Sequence, residues 1–285
     1  MTATERPAAP QGVARRWTYA VLAVAFLFVL MPFLFWQSTW FGKPLTEEAT
    51  ARHLADREHP RKTQHALSQI ADRILRGDAS VKRWYPQVVA LAAHPADEIR
   101  ITAAWVMGQD NQAREFRAPL LEFLRDAHPM VRRNAALSLV RFSDASGRKE
   151  LVAMLEPYTV ASPRAGVLVQ RLKLEDTVNP GTLLARIRVG ETEHEVRSQV
   201  PGRVERWLAE DSAAVEEGQG IVLLAPSQEM VWEALRALFL VGQPEDLPAV
   251  ERYTRPRDSM PPQIQQQALA TARAIRERAE SEKRK

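Results

Sequence analysis

Apolar residues along this chain follow two rhythms. Through residues 44–158 they recur at intervals of three and four, the spacing of one face of a helix, and through residues 161–226 they alternate, the spacing of a half-buried strand. The helical part is punctuated by His-Pro pairs at His59, His94 and His128, which stand 35 and 34 residues apart. "HPADEIRITAAWVMGQD" places Ile99, Ala103, Val106 and Met107 on one stripe, and "HPMVRRNAALSLVRF" does the same with Val131, Ala135, Leu139 and Val140. A second amphipathic run precedes each of these two pairs, "YPQVVALAAHP" and "APLLEFLRDAHP". The unit is therefore helix, short turn, helix. Proline stops the first helix and suits the first turn of the second. Asp144 and the "GQDN" around Asp110 supply turn chemistry before the next unit.

The helical spacing returns after the alternating segment. "MVWEALRALFLVGQPEDLPAVERY", residues 230–253, sets Leu235, Leu238, Phe239 and Val241 beside one another, and the tail from Gln263 places Ile264, Ala268, Ala272, Ile275 and Ala279 on one stripe. Residues 228–285 read as helices that close the stack begun at residue 44. Such hairpins hold together only by stacking on neighbours.

The alternating segment repeats within itself. "SPRAGVLVQRLKLEDTVNPGTLL" and "SQVPGRVERWLAEDSAAVEEGQGIV" align Ser162 with Ser198 and Gly166 with Gly202, and Val178-x-x-Gly181 with Val215-x-x-Gly218 after a gap of one residue. Two alike half-units of short strands imply a small pseudo-symmetric β structure in which each half closes the edges of the other.

Between Trp17 and Trp36, "WTYAVLAVAFLFVLMPFLFW" carries no charge. Twenty apolar residues match a hydrocarbon core of ~30 Å, and aromatic rings stand at both ends. The absence of a small-x-small cleavage site points to a retained signal-anchor rather than a cleaved signal peptide. Arg15 and Arg16 before the segment, against Lys43 behind it, predict residues 1–16 as a cytoplasmic tail and the bulk of the chain as extracytoplasmic (periplasmic).

Composition narrows the chemistry. The 39 basic and 35 acidic residues are interspersed, which argues against a nucleic-acid binder despite the net charge of +4. With no cysteine there is no disulfide, thiol nucleophile or thiolate metal site. His59, His94 and His128 recur once per unit, too far apart to share an ion, and read as capping or surface residues. His53, His59 and His65 are split by Pro60. His194 among Glu191, Glu193 and Glu195 reads as a solvated turn. No phosphate loop, HExxH or Ser-His-Asp arrangement is present. Catalytic, cofactor-binding and metal-binding residues are therefore expected to be none, with no cofactor and no small-molecule substrate.

The residues "HPADEIRITAAWVMG" and "HPMVRRNAALSLVRF" resemble HEAT-like repeats of the phycocyanobilin-lyase type, each with a proline, an apolar-Arg pair (Ile99-Arg100, Val131-Arg132) and an alanine-rich helix. The Trp-Leu-Gly-Tyr pattern of tetratricopeptides is missing. Pro201-Gly202-x-Val204 and Val215-x-x-Gly218-Gln219 resemble the biotinyl/lipoyl-like barrel-sandwich hybrid shared with HlyD-type membrane-fusion adaptors. In carriers of that family a lysine at the hairpin tip holds the prosthetic group. Here the tip is "GETEHE", Glu191 stands at that place, and no lysine occurs from Leu174 to Glu282. The apolar run, the spacings and the resemblances together lead to an expected α+β multidomain chain: an N-terminal transmembrane helix at 17–36, an α-solenoid of HEAT-like hairpins at 44–158, a small all-β barrel-sandwich hybrid inserted at 161–226, and closing helices at 228–285. The expected function is a non-enzymatic, membrane-anchored scaffold. It would meet the lipid bilayer through residues 17–36 and hold protein partners of a membrane or envelope complex. The alternative is an accessory adaptor of a transport or efflux system.

Overall fold

Aspartate and proline cut the helical part into hairpins. The computed structural model describes residues 44–257 and 259–284, together with eight helical positions between 21 and 31. The chain divides into two compact units, residues 1–52 and 53–285. Helix α1 (Glu47–Ala55) begins in the first, where the Thr46 hydroxyl accepts the Ala49 N–H at 3.2 Å. In the second unit α2 (Pro60–Leu75) is followed by pairs made of a short and a longer helix: α3 (Tyr85–Ala90) with α4 (Asp97–Met107), and α5 (Arg117–Phe123) with α6 (Pro129–Arg141). A further short helix, α7 (Arg148–Ala153), leads into the strands. After them come α8 (Gln228–Val241), a fourth short helix α9 (Leu247–Glu251) and α10 (Pro262–Lys283).

The longer helices α2, α4, α6, α8 and α10 pack successively against one another. Their small residues set the spacing. The Ser138 hydroxyl donates to the Ala104 carbonyl at 2.8 Å, and Thr271 repeats this contact to Leu235 at 2.9 Å. A polar contact also recurs on the short helices, where the first residue of each reaches the turn aspartate ahead of the next. Tyr85 donates to Asp110 at 2.8 Å, Arg117 pairs with Asp144, and Arg148 pairs with Asp246 at 2.8 Å. The last of these joins residues on either side of the whole sheet segment. The strands are therefore inserted between α7 and α8, where the two preceding units carry only a His-Pro turn. Leu151, Met154 and Leu155 accordingly share one core with Leu235, Leu238, Val250 and Ile264. The buried Tyr253 hydroxyl donates to the Leu155 carbonyl at 2.8 Å.

Eight strands form two four-stranded antiparallel sheets. They are β1 (Tyr158–Ala161), β2 (Gly166–Gln170), β3 (Thr177–Val178), β4 (Leu183–Val189), β5 (Thr192–Arg197), β6 (Gly202–Trp207), β7 (Ala214–Val215) and β8 (Gly220–Pro226). The sheet orders are β1-β8-β6-β3 and β5-β4-β2-β7. Each sheet thus takes two strands from each half of the internal repeat. The equivalence extends to single bonds. Gly181 N–H donates to Ser198 O at 2.7 Å and Gly218 N–H to Ser162 O at 2.8 Å; Leu168 N–H donates to Ala213 O and Val204 N–H to Asp176 O, both at 2.9 Å. Alternation places Leu168, Val178 and Ile187 of one half and Val204, Val215 and Leu224 of the other in a shared core. Gly166 and Gly202 stand where a strand meets its neighbour's backbone: an added Cβ would lie 2.6 Å from the Arg188 carbonyl oxygen and 2.4 Å from that of Ala225.

Arg133 sits at the junction of helices and sheets. Its side chain is buried, its guanidinium carbon lies 5.8 Å from the centre of the Tyr158 ring, and it donates to the Met230 sulfur at 3.7 Å. Burial pushes its pKa down from the usual arginine value.

Two expectations are corrected. The fold class is a mixed helix-and-sheet structure with two antiparallel sheets, and not one built on a transmembrane helix at 17–36. Among the described residues no helix is long and apolar enough to cross a membrane. The longest helix among the described residues, α10, carries Arg273, Arg276, Glu277 and Arg278. The remainder of 17–36 and the tail 1–16 lie outside the described residues. The single-pass localisation with a cytoplasmic N-terminus rested on that helix and is withdrawn with it. Contact with a lipid bilayer through 17–36 has no support.

Two substitutions test this architecture. Gly202→Ala forces a methyl group against a strand carbonyl and is expected to cost about 1–3 kcal/mol. Asp246→Ala removes the Arg148 pair and the acceptor of the Gln243 N–H, at 2.8 Å, and should cost roughly 1–3 kcal/mol. Denaturant midpoints with unchanged slopes would measure both.

Candidate functional site

Once each longer helix turns one stripe inward, its opposite stripe is left outside. On α8 the buried stripe is Val231, Ala234, Leu235 and Leu238, and Glu233, Arg236 and Leu240 face away from it. The outward stripes of α4, α6, α8 and α10 line one depression of about 510 Å³, reached by Trp105, Leu137, Phe239 and Gln267. Trp105 is 41% exposed, Phe239 40% and Leu240 60%. Large apolar groups brought together at a surface mark an interaction site far better than the same groups scattered. Polar groups ring the apolar centre. Arg141 donates to Gln109 at 3.0 Å, while Glu233 and Arg236 have no ion-pair partner among the described residues. The arrangement offers an apolar seat with charges of both signs at its rim. It holds no pairing of nucleophile and base.

The apolar-Arg pairs have a role that spacing alone did not reveal. Arg100 donates to the carbonyls of His94 and Pro95 at 2.9 and 3.0 Å, and reaches Asp126 with two further bonds at 2.7 and 3.1 Å. Arg132 repeats the pattern one unit later, donating to the Asp126 and Ala127 carbonyls at 2.8 and 3.0 Å and pairing with Glu150. Each arginine thus closes the turn of its own hairpin and ties it to the next. Burial alone would raise the Asp126 pKa, but the bonds from Arg100 and from the His128 N–H bring it below the usual carboxylate value.

The histidines are separate. His94 Nδ1 accepts the Ala96 N–H at 3.1 Å, and His128 Nδ1 accepts the Met130 N–H at 3.2 Å; both act at the starts of helices. His59 instead meets Asp56 at 3.1 Å. His53 and His65 stand with ring centres 6.3 Å apart, and His65 contacts Gln69. Near the sheet tip Glu193 and Glu195 are taken up by Arg186 and Arg197, and His194 turns toward Arg164 at 3.3 Å. No cluster able to hold a metal ion occurs among the described residues.

HEAT repeats match residues 85–165. Those residues, which include α3 to α7, are HEAT-like repeats. Comparison with curated proteins returns no match. Among solved structures, a single-chain, multi-domain long-chain acyl-CoA carboxylase is 16% identical over 35% of this chain, with a TM-score of 0.24. The chain spans about 10% of that structure's length.

Sequence reasoning missed the depression, because it depends on which stripes of non-adjacent helices become neighbours. One signal was available. Asp78, Asp110 and Asp144 recur 32 and 34 residues apart, each accepting the N–H two residues ahead, and they mark the unit boundaries as clearly as His-Pro does.

His128 gives the repeats a pH dependence. Its Nδ1 is occupied by a backbone N–H, its Nε2 lies 3.2 Å from Asp97, and Asp126, Arg100 and Arg132 are its other charged neighbours. Burial, the largest influence, holds its pKa below the ordinary 6.5. The unfolded chain therefore binds the proton first as pH falls. The stability from His128 is present above pH 6.5 and is lost as pH drops through the lower folded value. Denaturation at pH 8 and pH 5 should show a larger loss for the wild type than for His128→Gln.

Proposed function

We propose that this chain is a non-enzymatic scaffold that holds protein partners through its helical repeats. The observation that carries the reading is the coincidence of two features: residues 85–165 are HEAT-like repeats, and the outward stripes of the repeat helices and of α8 and α10 form one apolar depression. Stacked helical hairpins present extended binding surfaces without catalytic groups. The exposed Trp105, Phe239 and Leu240 suit an anchor role, since large side chains in a recess contribute most to protein association. The occupant that fits is a partner segment with an apolar face and polar flanks, able to meet Arg141, Glu233 and Arg236 at the rim.

The two-sheet segment completes the reading. It belongs with a lipoyl-like domain that has given up carrier chemistry, since its tip bears Glu191 and no lysine lies between Leu174 and Glu282. In this reading its shared core makes it a rigid second surface, held to the repeats at Arg133 and Tyr158.

The test is a comparison of variants. Leu240→Glu places a charge in the depression at an exposed position and should leave the melting temperature within a few degrees of the wild type. A partner recovered stoichiometrically with the wild-type chain should then be lost, by at least about tenfold in affinity. Retention of that partner by Leu240→Glu and by Trp105→Glu alike would remove the depression from the reading.

A further inference from the structure

Several arginines of the helices are matched by carboxylates, as at Arg73, Arg100, Arg117, Arg132 and Arg148. The connection between α9 and α10 gathers arginines of which two are not. It brings Arg252, Arg255 and Arg257 together within "RYTRPR", and Arg276 of α10 joins them around a pocket of about 460 Å³. Glu251 is the one carboxylate among the described lining residues, and it is taken up by Arg276. Arg252 lies 3.6 Å from Glu156. Arg255 and Arg257 have no carboxylate partner among the described residues.

The pocket is shaped as well as charged. Pro256 and Pro262 restrict the connecting backbone. Tyr253 is buried and anchored on the Leu155 carbonyl, and the Arg257 guanidinium lies 5.3 Å from the centre of its ring. A guanidinium stacked in this way keeps the N–H groups at its edge available, in the planar fork that fits a phosphoryl group. The Thr254 hydroxyl donates to the Glu251 carbonyl at 2.8 Å and so fixes the turn, and Leu269 and Ala272 add an apolar wall. This face of α10 is distinct from the one that bears Gln267 and Ala270 in the depression described above.

We infer that this pocket binds a phosphoryl group carried on a partner polypeptide, with Arg255 and Arg257 as its principal donors. Like charges held together raise the energy of the empty site, and a doubly charged oxyanion relieves that repulsion. A peptide fits better than a nucleic acid because the basic groups are gathered at one pocket. A strand would need a row of them and exposed rings for stacking, whereas Tyr253 is buried. The volume suits one phosphorylated side chain with its neighbours. The inference stands whether or not the depression binds a partner, since it uses other residues.

Calorimetric titration of the full chain tests it, with four probes: a short phosphoserine peptide, the same peptide unphosphorylated, inorganic phosphate, and a short single-stranded DNA. Saturable binding of the phosphopeptide is expected, with the unphosphorylated peptide and inorganic phosphate weaker by about tenfold or more. Arg255→Ala/Arg257→Ala should lower phosphopeptide affinity at least about tenfold while the thermal melt stays within a few degrees of the wild type, since both side chains are exposed and only the Arg257 contact with the Tyr253 ring is lost. Arg255→Lys/Arg257→Lys, which keeps the charge but loses the fork, should fall between. Equal binding of both peptides, indifference to the alanine pair, inorganic phosphate as tight as the phosphopeptide, or preference for the DNA would each overturn the inference.

Discussion

The second unit depends on one recurring contact, the reach of a short helix's first residue to the turn aspartate that opens the next unit. Tyr85, Arg117 and Arg148 make it in succession, to Asp110, Asp144 and Asp246. It converts a row of marginal hairpins into a stack with a fixed register, because each aspartate also organises its own turn. The partner residue changes from a phenol to two guanidinium groups while the acceptor stays an aspartate. Burial and Asp110 together push the Tyr85 phenol well above its usual range, so it remains a donor at any ordinary pH.

That contact explains how the chain tolerates a sheet structure in the middle of a hairpin. Arg148 and Asp246 meet across the insertion, and Leu155 joins Tyr253 in the same way. The strands need little from the helices in return. Their two halves exchange strands, so each sheet is completed by the other half and the apolar faces meet in a common core. An insertion that closes on itself, entered at Tyr158 and left at Pro226, only lengthens one turn of the stack.

The surfaces left over are of two kinds. Outward stripes of the longer helices gather tryptophan, phenylalanine and leucine into one apolar recess, and the connection before the last helix gathers arginines. The first suits burial of an apolar anchor, and the second suits a directional, charge-assisted bond.

Much of this was readable along the chain. The stride of His59, His94 and His128, the prolines after them, and the alignment of Ser162 with Ser198 and Gly166 with Gly202 foretell helical pairs and duplicated strands. Those signals arise from steric and burial constraints that act within a few residues. Phe239 shows the limit: helical spacing groups it with Leu235 and Leu238, yet it is exposed, because only the packing of α10 decides where the buried stripe ends. By itself, then, the sequence determined periodicity, turn chemistry and internal duplication, which are local. The tertiary structure alone decided that the strands enter between α7 and α8, that Arg100 holds Asp126, and that four helices share one recess. Those outcomes depend on residues dozens of positions apart becoming neighbours, and no spacing along a chain encodes such a meeting directly.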